Sequence, residues 1–318
     1  MRRTERGAAL LTAMLTVTLV ATIASAALWQ QWRQVEIESA ERGRSQTAWM
    51  MTGALDWTRL ILREDALSAQ GAGVDHLGEP WALPVQESKL STFLSQDQQW
   101  REGDAEIFLS GQISDAQSQL NVMNLLENGQ ISLPALQRFG RLFERLNLPL
   151  QELQTMARQL QAAAAASKST GGAPSSAALM PQQTHQLVWL GLSPSTLAAL
   201  RNFITVLPEA TPVNLNTAPA EVLMASLPGV DLATARQWVS LRERGHWASL
   251  DAARQAMGPA GQYLQSEQHA VQTRYFEVTG RMRIDDVVQV EQLLVKREGN
   301  QVHMVWRLRS PVLVTRAP

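Results

Sequence analysis

Cysteine is absent from this chain of 318 residues, which excludes disulfide frameworks, thiol nucleophiles, iron–sulfur clusters and cysteine zinc sites. Histidine is scarce. His76, His185, His246, His269 and His303 are far apart, so no H-x-x-x-H pair offers a local metal seat. Neither sign of charge prevails: Lys+Arg 28 against Asp+Glu 29 gives a net charge of -1, which argues against a surface built to neutralise phosphates. G-x-S-x-G, P-loop and G-x-G-x-x-G motifs are missing as well. These absences disfavour an enzyme and predict no catalytic set, no metal set and no cofactor.

What the chain does have is a long apolar start. Arg2, Arg3 and Arg6 precede an uncharged run from Gly7 to Trp32. Its apolar part, Ala8 to Trp29, matches the roughly 20 residues that cross a hydrocarbon core of about 30 Å. The arginines assign the N-terminus to the cytoplasm and the rest of the chain to the far side of the inner membrane. Ala24-Ser25-Ala26 also fits a signal-peptide cleavage site, so a soluble protein released after Ala26 is a rival reading. From Ala8 to about Ala69 there is no proline, and good helix formers dominate, which predicts a single helix over 8–70. Its outer half carries Met50, Ala54, Trp57 and Ile61 at 4-3-4 spacing, a stripe expected to pack on the protein's own sheet.

Alternation predicts strands at 106–114, 275–284, 287–297 and from Val302 to Arg309, with Gly299-Asn300 as a tight turn. In the last of these, Val302, Met304, Trp306 and Leu308 are expected on one face and His303, Arg307 and Arg309 on a solvated one. The result is an antiparallel sheet with one covered face. Between the first strand and the others lies a helical block. Ser132 is placed to cap a helix running through Arg145 with Leu136, Phe139 and Phe143 on its buried side. Residues 162–183 are low in complexity and expected to be a mobile loop.

Asn216-Thr217, followed by Pro219, is placed to cap one helix, and Leu227-Pro228-Gly229-Val230-Asp231 leads to a second that runs through Arg242. The pair resembles a helix-hairpin-helix module, whose backbone amides hold DNA phosphate in other proteins. The alternative function is therefore an inner-membrane-anchored periplasmic DNA-binding receptor. Asp231 replaces the hairpin's second glycine, and four Arg balance four acidic residues over 213–256, so a packing unit capped by Asp231 is favoured and no nucleic acid is expected. Asn121, Asn124, Asn214 and Asn216 read as turn and cap residues. His246 and Trp247 are expected to pack the end of the hairpin.

Arg6-Gly7-Ala8-Ala9-Leu10-Leu11-Thr12 resembles the start of type IV pilin-like proteins. The resemblance implies that a prepilin peptidase cuts between Gly7 and Ala8, methylates the new N-terminus and leaves the apolar run as an anchor. Most such subunits carry a glutamate at the fifth mature position, where this chain has Thr12. A carboxylate inside a membrane persists only where a partner exists, so its loss suits a subunit at the tip with none above it.

Four further stretches are similar, in order, to the type II secretion minor pseudopilins of the general secretion pathway protein K family. They are Asp75-His76-Leu77-Gly78-Glu79-Pro80-Trp81-Ala82-Leu83-Pro84, Leu109-Ser110-Gly111-Gln112-Ile113-Ser114-Asp115, Leu120-Asn121-Val122-Met123-Asn124-Leu125 and Val213-Asn214-Leu215-Asn216-Thr217-Ala218.

That likeness implies an α+β fold in which the long transmembrane helix packs on a pilin-like antiparallel sheet, with a large inserted all-α domain. The implied divisions are a leader at 1–7, the helix at 8–70, the first part of the pilin-like domain at 71–128, the helical insert at 129–270 and the closing strands at 271–318. The implied role is structural, at the tip of the secretion pseudopilus. The implied partners are the other minor pseudopilins of the I, J and H types, the major pseudopilin, the prepilin peptidase and the inner membrane. Relatives carry an acidic segment associated with calcium. Here no Asp or Glu occurs between Glu152 and Glu209, so calcium, which needs several oxygen ligands, is not carried over.

Overall fold

A computed structural model describes residues 5–68, 73–89, 107–168, 178–284 and 287–313. Most of the expected leader, Glu106 and residues 169–177 of the expected loop lie outside the described residues. The chain divides into two compact units, Met1–Ala54 and Leu55–Pro318.

The first unit is helical, as the absence of proline permits and its helix-forming residues favour. Helix α1 (Glu5–Leu67) contains a segment, Ala9–Glu38, whose most apolar 18 residues have a mean hydropathy of 2.0, long and apolar enough to cross a membrane. Its Leu10, Leu11, Leu15, Val20 and Leu28 face outward. The hydroxyls of Thr12, Thr16, Thr18, Thr22 and Ser25 donate to carbonyls three or four residues earlier. Each of these hydroxyls is thus answered within the helix, the condition for life in hydrocarbon.

In the second unit α1 ends in three buried positions, Leu55, Thr58 and Leu62. They lie one residue on from the expected Ala54, Trp57 and Ile61, at the same spacing, and Trp57 is 54% exposed. Thr58 interrupts the apolar pattern in the true phase, which is why the neighbouring phase with Trp57 looks better on sequence.

Five strands form one antiparallel sheet in chain order: β1 (Val85–Lys89), β2 (Ile107–Asp115), β3 (Tyr275–Ile284), β4 (Val287–Glu298) and β5 (Gln301–Leu313). β1 shows no apolar alternation and escapes sequence reading; it is a mostly exposed edge. Gly299, at φ 58°, opens the β4–β5 turn, where a two-residue hairpin turn takes glycine at its first position.

The last strand departs from its expected faces. Val295 pairs with Met304 but Leu294 pairs with Trp306, so Val305 is a bulge. One extra residue reverses the alternation beyond it. Arg307 and Arg309 therefore share the face of Phe276, Val278, Leu293 and Val295, where Arg307 is half-buried and Arg309, at the end of the row, stays exposed as expected. There they meet Glu291, which is fully buried: Arg307 Nε lies 2.7 Å from Oε2 and Arg309 Nε 2.6 Å from Oε1. Gly280 stands next to Glu291 in the same row with Gly111 beyond it, and neither places a side chain on that side. Trp306 turns to the opposite face, against Tyr275, Leu294, Ala116 and Leu207. Both faces are thus partly covered, where one was expected.

Between β2 and β3 run α2 (Leu133–Arg145), α3 (Leu150–Lys168), α4 (Pro194–Leu200), α5 (Ala220–Ser226), α6 (Leu232–Arg244) and α7 (Leu250–Ala256). They enclose the largest apolar core, with Phe139, Phe143, Met156, Leu187, Leu223 and Trp238 inside it. Residues 162–168, expected in a loop, extend α3 because their alanines form helix readily. Ser132 precedes α2 without a side-chain cap; its carbonyl alone takes the Leu136 amide. Asp231 does cap α6, accepting from the Thr234 amide at 2.7 Å. The stripe's phase is open to test. Leu62→Ala should cost about 2–5 kcal/mol in denaturant unfolding, whereas Trp57→Ala should stay within about 0.5 kcal/mol.

Candidate functional site

The stretches that stand out in the sequence converge on one buried polar junction between the sheet and the helical block. Asp115, the last residue of β2, is buried and receives three hydrogen bonds: from the Gln117 amide at 2.7 Å, Asn214 Nδ2 at 2.8 Å and Thr217 Oγ1 at 2.6 Å. Asn214 Nδ2 also donates to the Asp75 carbonyl at 3.1 Å, and Asn214 Oδ1 accepts from the Asn216 amide at 3.0 Å. Asn216 exchanges hydrogen bonds with the backbone of Trp247, at 2.9 and 3.0 Å. Asn216 and Thr217 are therefore not helix caps; α5 begins after Pro219 with no side-chain cap.

Asn121 caps the short turn after it by accepting from the Met123 amide, and it also accepts from Leu207 and donates to the Glu209 carbonyl. Asn124 exchanges two bonds with the backbone of Thr211. These asparagines satisfy backbone groups, as read from sequence, but Asn121, Asn124 and Asn214 also reach across gaps of more than eighty residues. A planar amide offers two donors and an acceptor at once, which suits stitching together buried loops that have no ladder of their own.

A charged centre completes the junction. Arg297 of β4 reaches Asp65 of α1 at 2.8 Å, Asp75 at 2.5 Å and the Thr273 carbonyl at 3.1 Å. Its guanidinium lies 4.8 Å from the centre of the Phe276 ring. Asp75 Oδ2 accepts from the Thr273 amide at 2.7 Å. Glu79 Oε2 accepts from the His76 amide and from Trp81 Nε1, at 2.9 and 2.7 Å, while its Oε1 has no partner among the described residues. His76 stacks on His246 at 3.8 Å, and its Nδ1 takes the Gly78 amide. Nothing in the sequence marked Arg297, because a basic residue near a strand end reads as solvated.

Carboxylate oxygens of Asp65, Asp75 and Glu79 lie within 4.8 Å of one another. Calcium takes six to eight oxygens, whereas two of these carboxylates already bind the guanidinium. The donor set fits Arg297, and no metal chemistry follows from it. Burial raises the pKa of Asp65 and Asp115, and pushes Asp75 to about 6 and Glu79 to about 7. What this network of mutually satisfied groups can do is hold segments together. Arg242 serves the same end by donating to the Leu215 carbonyl. Gly7, Ala8 and Thr12 lie on the first turns of α1.

The comparisons with known proteins agree with this architecture. Residues 118–209 and 213–272 match the family described as type II secretion system (T2SS), protein K. Type II secretion system protein K of Pseudomonas aeruginosa is 28% identical over 311 residues, which span 91% of this chain and 88% of the relative. The protein of the same name from Pectobacterium carotovorum subsp. carotovorum is 26% identical over 335 residues, 96% and 97% of the two chains. The crystal structure of the GspK-GspI-GspJ complex from the enterotoxigenic Escherichia coli type 2 secretion system aligns with TM-score 0.63 and 18% identity, over 85% of this chain and 98% of that one. A likeness at that identity speaks for the fold.

A raised acid pKa means that the folded state holds the proton that the unfolded chain has released. The stability Glu79 contributes is therefore full below pH 4.5 and is lost as pH rises through about 7. Glu79→Gln should flatten the fall in stability between pH 5 and 8 and leave the variant the more stable at pH 8, as read by urea unfolding.

Proposed function

We propose, from the premise that this chain belongs to the type II secretion system protein K family, that it is a minor pseudopilin working as a structural cap in protein export. The observation that carries the reading is the pairing of an intact apolar helix with a pilin-like sheet that holds a large helical block. A helix with only outward-facing apolar side chains has no core of its own to join, and lipid or sister helices supply one. The division at about 129–270 fits such a cap, since the block enters and leaves beside the polar junction.

In this reading the prepilin peptidase removes the leader after Gly7. The helix from Ala8 then anchors the chain in the inner membrane, with its N-terminus cytoplasmic and the remainder periplasmic, as Arg2, Arg3 and Arg6 favour. Thr12, whose hydroxyl donates to the Ala9 carbonyl, places no carboxylate in the bundle, and this supports a position at the tip. The proposed partners are the other minor pseudopilins and, below them, the major pseudopilin. GspK of the structural relative was solved in complex with GspI and GspJ, which supports the first of these. The chain carries out no reaction of its own and is itself the substrate of the peptidase.

Mass spectrometry of the mature protein tests the retained anchor. The expected N-terminus is a methylated Ala8, and an N-terminus at Ala27 would replace this reading with a secreted soluble protein.

A further inference from the structure

Two imidazoles stack beside the polar junction. His76, in the loop after α1, lies parallel to His246, just past the end of α6, with 3.8 Å between ring centres and 10° between planes. The pair joins that loop to the helical block. His76 is half-buried and His246 exposed.

Both rings are held in place. His76 closes its own turn: Nδ1 accepts the Gly78 amide at 3.1 Å, its carbonyl accepts the Glu79 amide at 3.2 Å, and its amide donates to Glu79 Oε2 at 2.9 Å. His246 precedes Trp247, whose backbone exchanges two hydrogen bonds with Asn216. An Nδ1 that accepts leaves the ring proton on Nε2, so this geometry suits the neutral His76 ring. A second proton must enter at Nδ1. There it would meet the Gly78 N–H, donor against donor, and would set an imidazolium against the second ring.

The charged neighbours give that proton little help. Asp65 and Asp75 bind Arg297, and Glu79, pushed to about 7, sheds its charge before His76 gains one. At the end of α6, Arg242 and Arg244 donate to the Leu215 and Ser240 carbonyls, and Glu243 is exposed. Burial first, and then His246, hold the His76 pKa below the ordinary 6.5, against the pull of Asp65. The turn also bears on the core. Glu79 Oε2 takes Trp81 Nε1 at 2.7 Å, and the buried Trp81 ring packs edge-on against Phe276 of β3, 5.2 Å between centres.

We propose that the His76–His246 stack is an acid-sensitive clasp, which holds the loop after α1 against the helical block at neutral pH and lets it go in acid. Histidine is the side chain whose charge ordinarily changes in this range. Because folding holds the His76 pKa below its unfolded value, the clasp contributes its full stability above pH 6.5 and loses it as pH falls through the lower folded value. The Glu79 carboxyl acts in the opposite direction, so variants separate the two.

Amide hydrogen exchange on the full-length protein in detergent, at pH 7.5 and 5.5 with the chemical rate divided out, tests the clasp. Exchange over residues 73–82 should quicken roughly threefold or more at the lower pH, relative to α2 and α3. Glu79→Gln should keep that response. His76→Phe, which retains a ring to stack but takes no proton, should abolish it. His246→Phe, at an exposed position, removes the like charge and should cut the response by about half or more, which keeps the clasp testable if the His76 variant does not fold. No quickening in the wild type, or an equal response in wild type, His76→Phe and His246→Phe, would overturn the clasp.

Discussion

The Arg297 guanidinium is the constraint on which the rest of the second unit depends. Burying a cation costs several kcal/mol unless its charge and its donors are both answered. Here the answers come from three separate pieces of chain: Asp65 at the end of α1, Asp75 in the loop that follows, and the Thr273 carbonyl ahead of β3. None of these can move away without leaving a buried charge exposed to a low dielectric. The end of the long helix is thereby fixed to the closing strands, although 232 residues separate Asp65 from Arg297. Asp115 extends the same logic to the helical block, since its acceptors are filled by Asn214 and Thr217. Removing one member of such a network leaves several orphans, which makes the junction all-or-none.

This arrangement explains how a sheet can carry an insertion larger than itself. The helical block has its own core, so its internal packing does not require the sheet. What must be specified is how it is held against the sheet, and the asparagine-rich turns around Asn121 and Asn214 do this by bonding to distant loops and to Asp115 at the junction. Hydrogen bonds to buried backbone fix orientation more sharply than apolar contact does, because a mismatched donor costs more than a mismatched methyl. In the proposed role as a structural cap, a junction of fixed geometry between the two parts is a functional requirement.

The sequence made much of this legible. The apolar helix follows from the spacing of prolines, and β3, β4 and their turn from alternation and Gly299. Asp231 is a cap in both sequence and structure. The faces of β5 were lost to the bulge at Val305, because an inserted residue leaves the composition unchanged while reversing every side chain beyond it. The α1 stripe slipped by one residue because burial includes Thr58 and excludes Trp57, against their hydrophobicity. Among the junction residues the asparagines were visible as turn formers, but their partners lie too far along the chain for local patterns to show. Glu291 offered the one available signal: a carboxylate in phase with Leu293 and Val295 on a central strand is misplaced unless charges meet it there.

The most direct test of this account is amide hydrogen exchange on the full-length protein carrying Arg297→Met. Loss of the guanidinium should deprotect residues 55–67 of α1 and the loop from Asp75 to Trp81 together, while α2 and α3 keep their protection. Unchanged exchange in both segments, with the fold retained, would contradict the claim that this one buried cation ties them down.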